Sequence, residues 1–136
     1  MKSLIVFFSL TGNTRKIAEG ISLITGSEKR DMKCGEDAGD IRGYHIIFLL
    51  SPVWNGKVPG PVRVYMEKRS WDGKKIYPVI TNGGLVGRTY QEIVGLCPGA
   101  RVAPPLSVRF DFRKQRTKDR EIEFWVRDVM RRNLMS

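Results

Sequence analysis

Metal-binding and redox-active side chains are scarce in this sequence. It holds two cysteines and one histidine in 136 residues. Cys34 and Cys97 are isolated, with no Cys-x-x-Cys pair, and His45 has no thiol or carboxylate beside it. No metal site is expected from such a set. Two reduced thiols fit a reducing cytosol, and cytoplasmic is the expected location. Long apolar runs are missing too. None approaches the ~20 residues that a membrane span needs, so no membrane partner is expected. No cleavable leader pattern precedes the first apolar stretch. There is no nucleophile elbow with a following acid and histidine, and no pair of carboxylates at strand ends. No residue is therefore assigned a catalytic role. Repeats and low-complexity tracts are also absent. One domain over residues 1–136 is expected, and 41% hydrophobic residues suit a packed core rather than disorder.

Acidic residues are few. Lys and Arg number 24 against 14 Asp and Glu, for a net charge of +10. A surface of that sign favours anionic partners. The run Arg109, Arg113, Lys114, Arg116, Lys118, Arg120 is its densest part. No aromatic ladder accompanies the run, as single-strand binding would want, so nucleic acid is not the expected partner.

The most informative stretch is Ser9-Leu10-Thr11-Gly12-Asn13-Thr14. It follows an apolar run, Leu4 to Phe8, that reads as a buried strand. It precedes Ile17, Ala18, Ile21 and Ile24, which share one face of a helix. A hydroxyl-rich loop thus meets a helix N-terminus, where free N–H groups and the positive dipole end make an anion site. The spacing matches neither the P-loop nor the three-glycine dinucleotide fingerprint. The plain alternative is an ordinary strand-to-helix turn.

Alternation continues down the chain. Helix one is expected over Asn13 to Thr25, stopped by Gly26. Ser27 to Lys33 is polar and suits a charge-protected edge strand. Cys34 to Gly43 has room for two helical turns or a 3₁₀ turn. Tyr44 to Leu50 reads as a second buried strand, with His45 structural or facing solvent. Pro59 and Pro61 suit a helix start before Val62, Tyr65 and Met66. Lys75 to Thr81 reads as strand four, although Pro78 sits badly in a central strand. A helix with Tyr90, Ile93, Val94 and Cys97 follows. The last strand falls within Val102 to Phe112, delayed by Pro104-Pro105. A final amphipathic helix carries Ile122, Trp125, Val126, Val129, Met130 and Leu134. Five strands alternating with helices give an α/β, three-layer, doubly wound parallel sheet. A polar second strand belongs at an edge, which fits order 2-1-3-4-5.

In such a sheet, ligands bind at the carboxyl ends of the strands. The loops there are 9–14, 51–57 and 82–88, the three unusual loops of the sequence. The pattern Ser/Thr-x-Thr-Gly-x-Thr at Ser9–Thr14 resembles the phosphate loop of the short-chain flavodoxin family, with every fixed position matched. The resemblance implies FMN as cofactor. Ser9, Leu10, Thr11, Gly12, Asn13 and Thr14 would then wrap its phosphate. Ser51, Pro52, Val53, Trp54, Asn55, Gly56 and Lys57 would meet the flavin ring. Trp54 would stack on the ring, the alternative being that it packs under its own loop. The Asn55-Gly56 peptide matches one that flips toward the ring in the family. Asn82, Gly83, Gly84 and Leu85 would bond the pyrimidine edge.

Two departures stand out. Leu85 and Val86 occupy the place of a second aromatic. Lys57 and Arg88 stand where the family has acids. Reduction adds negative charge to the ring, so nearby cations favour a less negative potential. A strongly negative value in a redox titration would contradict this. The function that follows is an FMN-binding electron carrier working between acidic, ferredoxin-like or reductase partners, as a monomer. The alternatives are an FMN-dependent NAD(P)H:quinone-type oxidoreductase and a binding module that has lost FMN.

Overall fold

The computed structural model describes residues 2–33 and 39–135. The chain runs β1 (Ser3–Phe7), α1 (Asn13–Thr25), β2 (Glu28–Asp31), β3 (Ile46–Pro52), α2 (Gly60–Glu67), β4 (Lys75–Asn82) and α3 (Thr89–Leu96). It closes with β5 (Arg101–Val102), β6 (Leu106–Asp111), β7 (Lys114–Gln115) and α4 (Asp119–Met135). The sheet order is β2-β1-β3-β4-β6-β7, with β5 also on β4. All pairings are parallel except β6 with β7.

β1 and β3 are apolar on both faces because helices cover both faces. Ile5, Phe7, Phe48 and Leu50 pack with Ile17 and Ile21 of α1 and Val126 of α4. Leu4, Val6, Ile47 and Leu49 pack with Val62 and Met66 of α2 and Ile93 of α3. Each such side chain contributes about 1.5–3 kcal/mol on burial. β2 is hydrogen-bonded on one side only and spells Glu-Lys-Arg-Asp, the charged edge that its sequence predicts.

The expected five strands become seven. Ala103-Pro104-Pro105 interrupts the last strand, leaving β5 and β6 as two pieces that share the β4 edge. β7 adds a short antiparallel return. Pro78 falls at the same break. Lys75 N–H bonds His45 O on one side of β4, and Ile76 O accepts from Ala103 N–H on the other. Alternation aims the missing N–H of Pro78 at that second side, where no ladder partner exists between Val102 and Leu106. Strand three starts two residues later than Tyr44, since its partner β1 begins at Ser3, opposite Ile46. Half of the stretch from Cys34 to Gly43, with room for two helical turns or a 3₁₀ turn, lies outside the described residues, Cys34 included, and 39–43 hold no helix. Cys97 is buried without a disulfide, and burial pushes its thiol up to about 12, so it is chemically quiet. Among the described residues no helix is long and apolar enough to cross a membrane.

Candidate functional site

The carboxyl ends of β1, β3, β4 and β6 enclose a cleft of ≈ 260 Å³. The first loop contributes Leu10, Thr11, Asn13 and Thr14. The second contributes Pro52, Val53 and Trp54, and β4 with its loop contributes Thr81, Asn82 and Gly83. All three expected loops therefore meet. Phe110 and Phe112 complete the lining and were not expected there.

At one end the site offers donors. Gly12 caps α1 with φ 100°, a left-handed conformation that glycine adopts freely. No side chain caps the helix, and Lys16 N–H makes the first intrahelical bond, to Gly12 O. The N–H groups of Asn13, Thr14 and Arg15 precede any helical acceptor. Ser9 Oγ accepts the Gly12 N–H at 3.1 Å, which leaves its own proton to donate. Thr14 Oγ1 and Thr81 Oγ1 lie 2.7 Å apart and both residues are buried. That pair holds two protons and spends one between its oxygens, so one O–H remains for a ligand. Donors without acceptors at a positive dipole end suit a phosphate or similar anion. A Cβ at Gly12 would meet nothing within 4 Å, so the space over the loop is open.

At the other end stands Trp54. Its ring packs edge-on against Phe8 at 5.4 Å, yet 38% of the residue stays exposed. It is not buried beneath its loop. Asn55 (φ 52°) and Gly56 (φ 72°) form a two-residue turn, closed by paired bonds between Trp54 and Lys57. Two positive φ values mark the type I′ form, for which Asn-Gly is the preferred pair. Turning the Asn55–Gly56 peptide over would give the type II′ form, which wants glycine where Asn55 stands. The flip that the resemblance implies thus carries a cost at Asn55.

The turn is fastened from two sides. Gly56 O accepts the Arg88 N–H at 2.7 Å, joining the second and third loops. The crossing is close: a Cβ at Gly87 would lie 2.4 Å from Gly56 O. Glu92 on α3 accepts the Val58 N–H at 2.9 Å and pairs with Arg63 of α2. Burial opposes its ionisation, but Val58, Arg63 and Lys57 outweigh this and hold the carboxyl below its ordinary range. A carboxylate lowered in the folded state stabilises fully above its unfolded pKa and loses that support as pH falls through the folded value. Glu92→Gln is expected to cost about 1 kcal/mol at neutral pH and to flatten the acid limb of a urea-unfolding series. An unchanged pH profile would show that the clamp contributes nothing. A lone Glu on a helix carried no signal of this in the sequence.

The remaining expected residues are placed as follows. Ser51 is buried and donates to Pro52 O at 2.8 Å. Asn82 donates to Ile80 O and Ser107 Oγ and accepts the Gly84 N–H, so its side chain braces its own loop. Gly84 spends its N–H in that bond rather than on the cleft. Leu85 is exposed on the third loop, and like Ser9, Gly12, Asn55, Gly56 and Lys57 it does not line the cleft. His45 is exposed, and its backbone carbonyl serves the sheet.

No family model matches the sequence, and no curated protein sequence does. Solved structures do. Oxidised flavodoxin 2 from Bacillus cereus is 20% identical with a TM-score of 0.74, over 97% of this chain and 99% of that one. Flavodoxin from Fusobacterium nucleatum, solved with flavin mononucleotide, is 14% identical with a TM-score of 0.70 over the same shares. The fold is flavodoxin-like. A flavoprotein from Lactobacillus acidophilus in complex with FMN is 21% identical with a TM-score of 0.64, over 78% of this chain and 92% of that one. In a flavodoxin-like fold the cleft found here lies at the carboxyl edge, where sheets of this order bind ligands. Flavodoxin is a standard example of that rule.

Proposed function

We propose that the chain binds FMN in this cleft and carries electrons between protein partners. One observation carries the reading: three loops from separate strand ends converge, with an open helix N-terminus at one end and a half-open tryptophan at the other. The neighbours described with FMN bound support it. Thr11, Thr14 and the first N–H groups of α1 would hold the phosphate, with Ser9 Oγ bracing Gly12 beneath them. Trp54 would cover a face of the ring, with Val53 and Gly83 beside it. Bound there, FMN would supply the redox chemistry. The protein's part is to bind, orient and shield.

The alternative, an FMN-dependent reductase that passes electrons from NAD(P)H to a quinone-type acceptor, is separated from the carrier by a direct assay. The FMN-loaded protein is expected to take electrons from a reduced protein donor and to leave NAD(P)H unoxidised. Steady NAD(P)H oxidation by the purified protein would replace the carrier with a reductase.

A further inference from the structure

Four large apolar side chains stand exposed on loops around the cleft mouth: Leu10 at 64%, Trp54 at 38%, Leu85 at 70% and Phe112 at 96%. Solvent-facing apolar groups gathered at one edge mark a contact surface. Phe112 is the most exposed, and its placement is enforced. It sits between β6 and β7 with φ 55°, a conformation few non-glycine residues hold. Its carbonyl accepts from Asn13 Nδ2 at 2.6 Å, which ties the hairpin to the first loop.

Beyond Phe112 the surface turns basic. Lys16, Arg113, Lys114, Arg116 and Lys118 border one open basin. Arg116 pairs with Asp111. The other four are exposed and have no carboxylate partner among the described residues. Unpaired cations beside an apolar rim match a partner that is acidic around an apolar centre.

We propose that the β6–β7 hairpin and the cleft rim form the docking face for an acidic redox protein. This rests on the carrier reading, because that partner must reach the cleft. One feature favours a protein over a nucleic acid: Leu10 and Leu85 are aliphatic and give no stacking ladder. A membrane fits less well, since the apolar groups ring an open, hydroxyl-lined cleft rather than forming one continuous face.

The probe is an acidic [2Fe–2S] ferredoxin, titrated by calorimetry into FMN-free and FMN-loaded protein. Binding is expected in both forms and should weaken as salt rises to ~0.15 M. Arg113→Glu/Lys114→Glu/Lys118→Glu should weaken it about tenfold or more at low salt. Reversing Lys29, Lys68 and Arg101, which are exposed elsewhere, should change it far less. Phe112→Ala should weaken it even in salt, with folding intact. Three results would each overturn the proposal: no ferredoxin binding; equal loss in the control triple; or tighter binding, at ~0.15 M salt, to a single-stranded oligonucleotide or phosphatidylserine vesicles. Because the FMN-free arm needs no flavin, a failure to bind FMN is seen separately in a flavin titration.

Discussion

Gly87→Ala is expected to release the Trp54 turn and to weaken FMN binding by about tenfold or more, ~1.4 kcal/mol per decade. The new Cβ would meet backbone, at 2.4 Å from Gly56 O and 2.6 Å from Gly56 Cα. Backbone cannot swing aside as a side chain can, so one loop must withdraw. The withdrawal would break the Arg88 N–H bond to Gly56 O and shift Trp54 with it. Residue 87 also holds φ 61°, which alone costs an alanine about 1–3 kcal/mol. Gly26→Ala separates the two effects. Gly26 has φ 71° with nothing within 4 Å of its Cβ position, so it carries the backbone strain without the clash. Urea unfolding should show both variants destabilised, while FMN titration should show only Gly87→Ala impaired. Equal flavin affinity in the two variants would mean that the crossing of the loops does not position the ring.

Gly12→Asp is expected to erase the preference for FMN over riboflavin. The two ligands differ by the phosphate, so their affinity ratio reads the phosphate site alone. Hydrogen bonds to a charged group contribute about 1.5–3 kcal/mol each, and the helix dipole adds up to ~2. A wild-type ratio on the order of 10²–10⁴ follows. An aspartate at the cap would take the open N–H groups of α1 for itself and repel the phosphate. Its capping bond would offset some of the strain at φ 100°, so the fold should persist. Riboflavin affinity should change little. A variant that kept the full FMN preference would place the phosphate somewhere other than the N-terminus of α1.

The parts of this architecture that are legible in the sequence are those written in consecutive residues. Leu4 to Phe8, the Ser9–Thr14 loop and the Ile17-Ala18-Ile21 stripe announce strand, anion loop and helix from neighbouring positions. Asn55-Gly56 names its own turn. What could not be read is long-range. Thr14 meets Thr81, Asn13 meets Phe112, and Val58 meets Glu92 only after the sheet has formed. Nothing periodic marks those pairs. Phe112 looked like the end of a strand, because a two-residue return such as β7 is too short to show alternation. Pro78 looked like an objection to its strand until Pro104-Pro105 proved to interrupt the partner at the same level. The basic run was visible, but its position beside the cleft depended on the β6–β7 turn.

Whether these three loops hold FMN is decided by titrating FMN into the flavin-free protein and following flavin fluorescence. Saturable quenching at one equivalent is expected, with the quench lost in Trp54→Ala and phosphate-dependent affinity retained there. Unquenched flavin at every ratio would contradict FMN binding, and the cleft would then need another ligand.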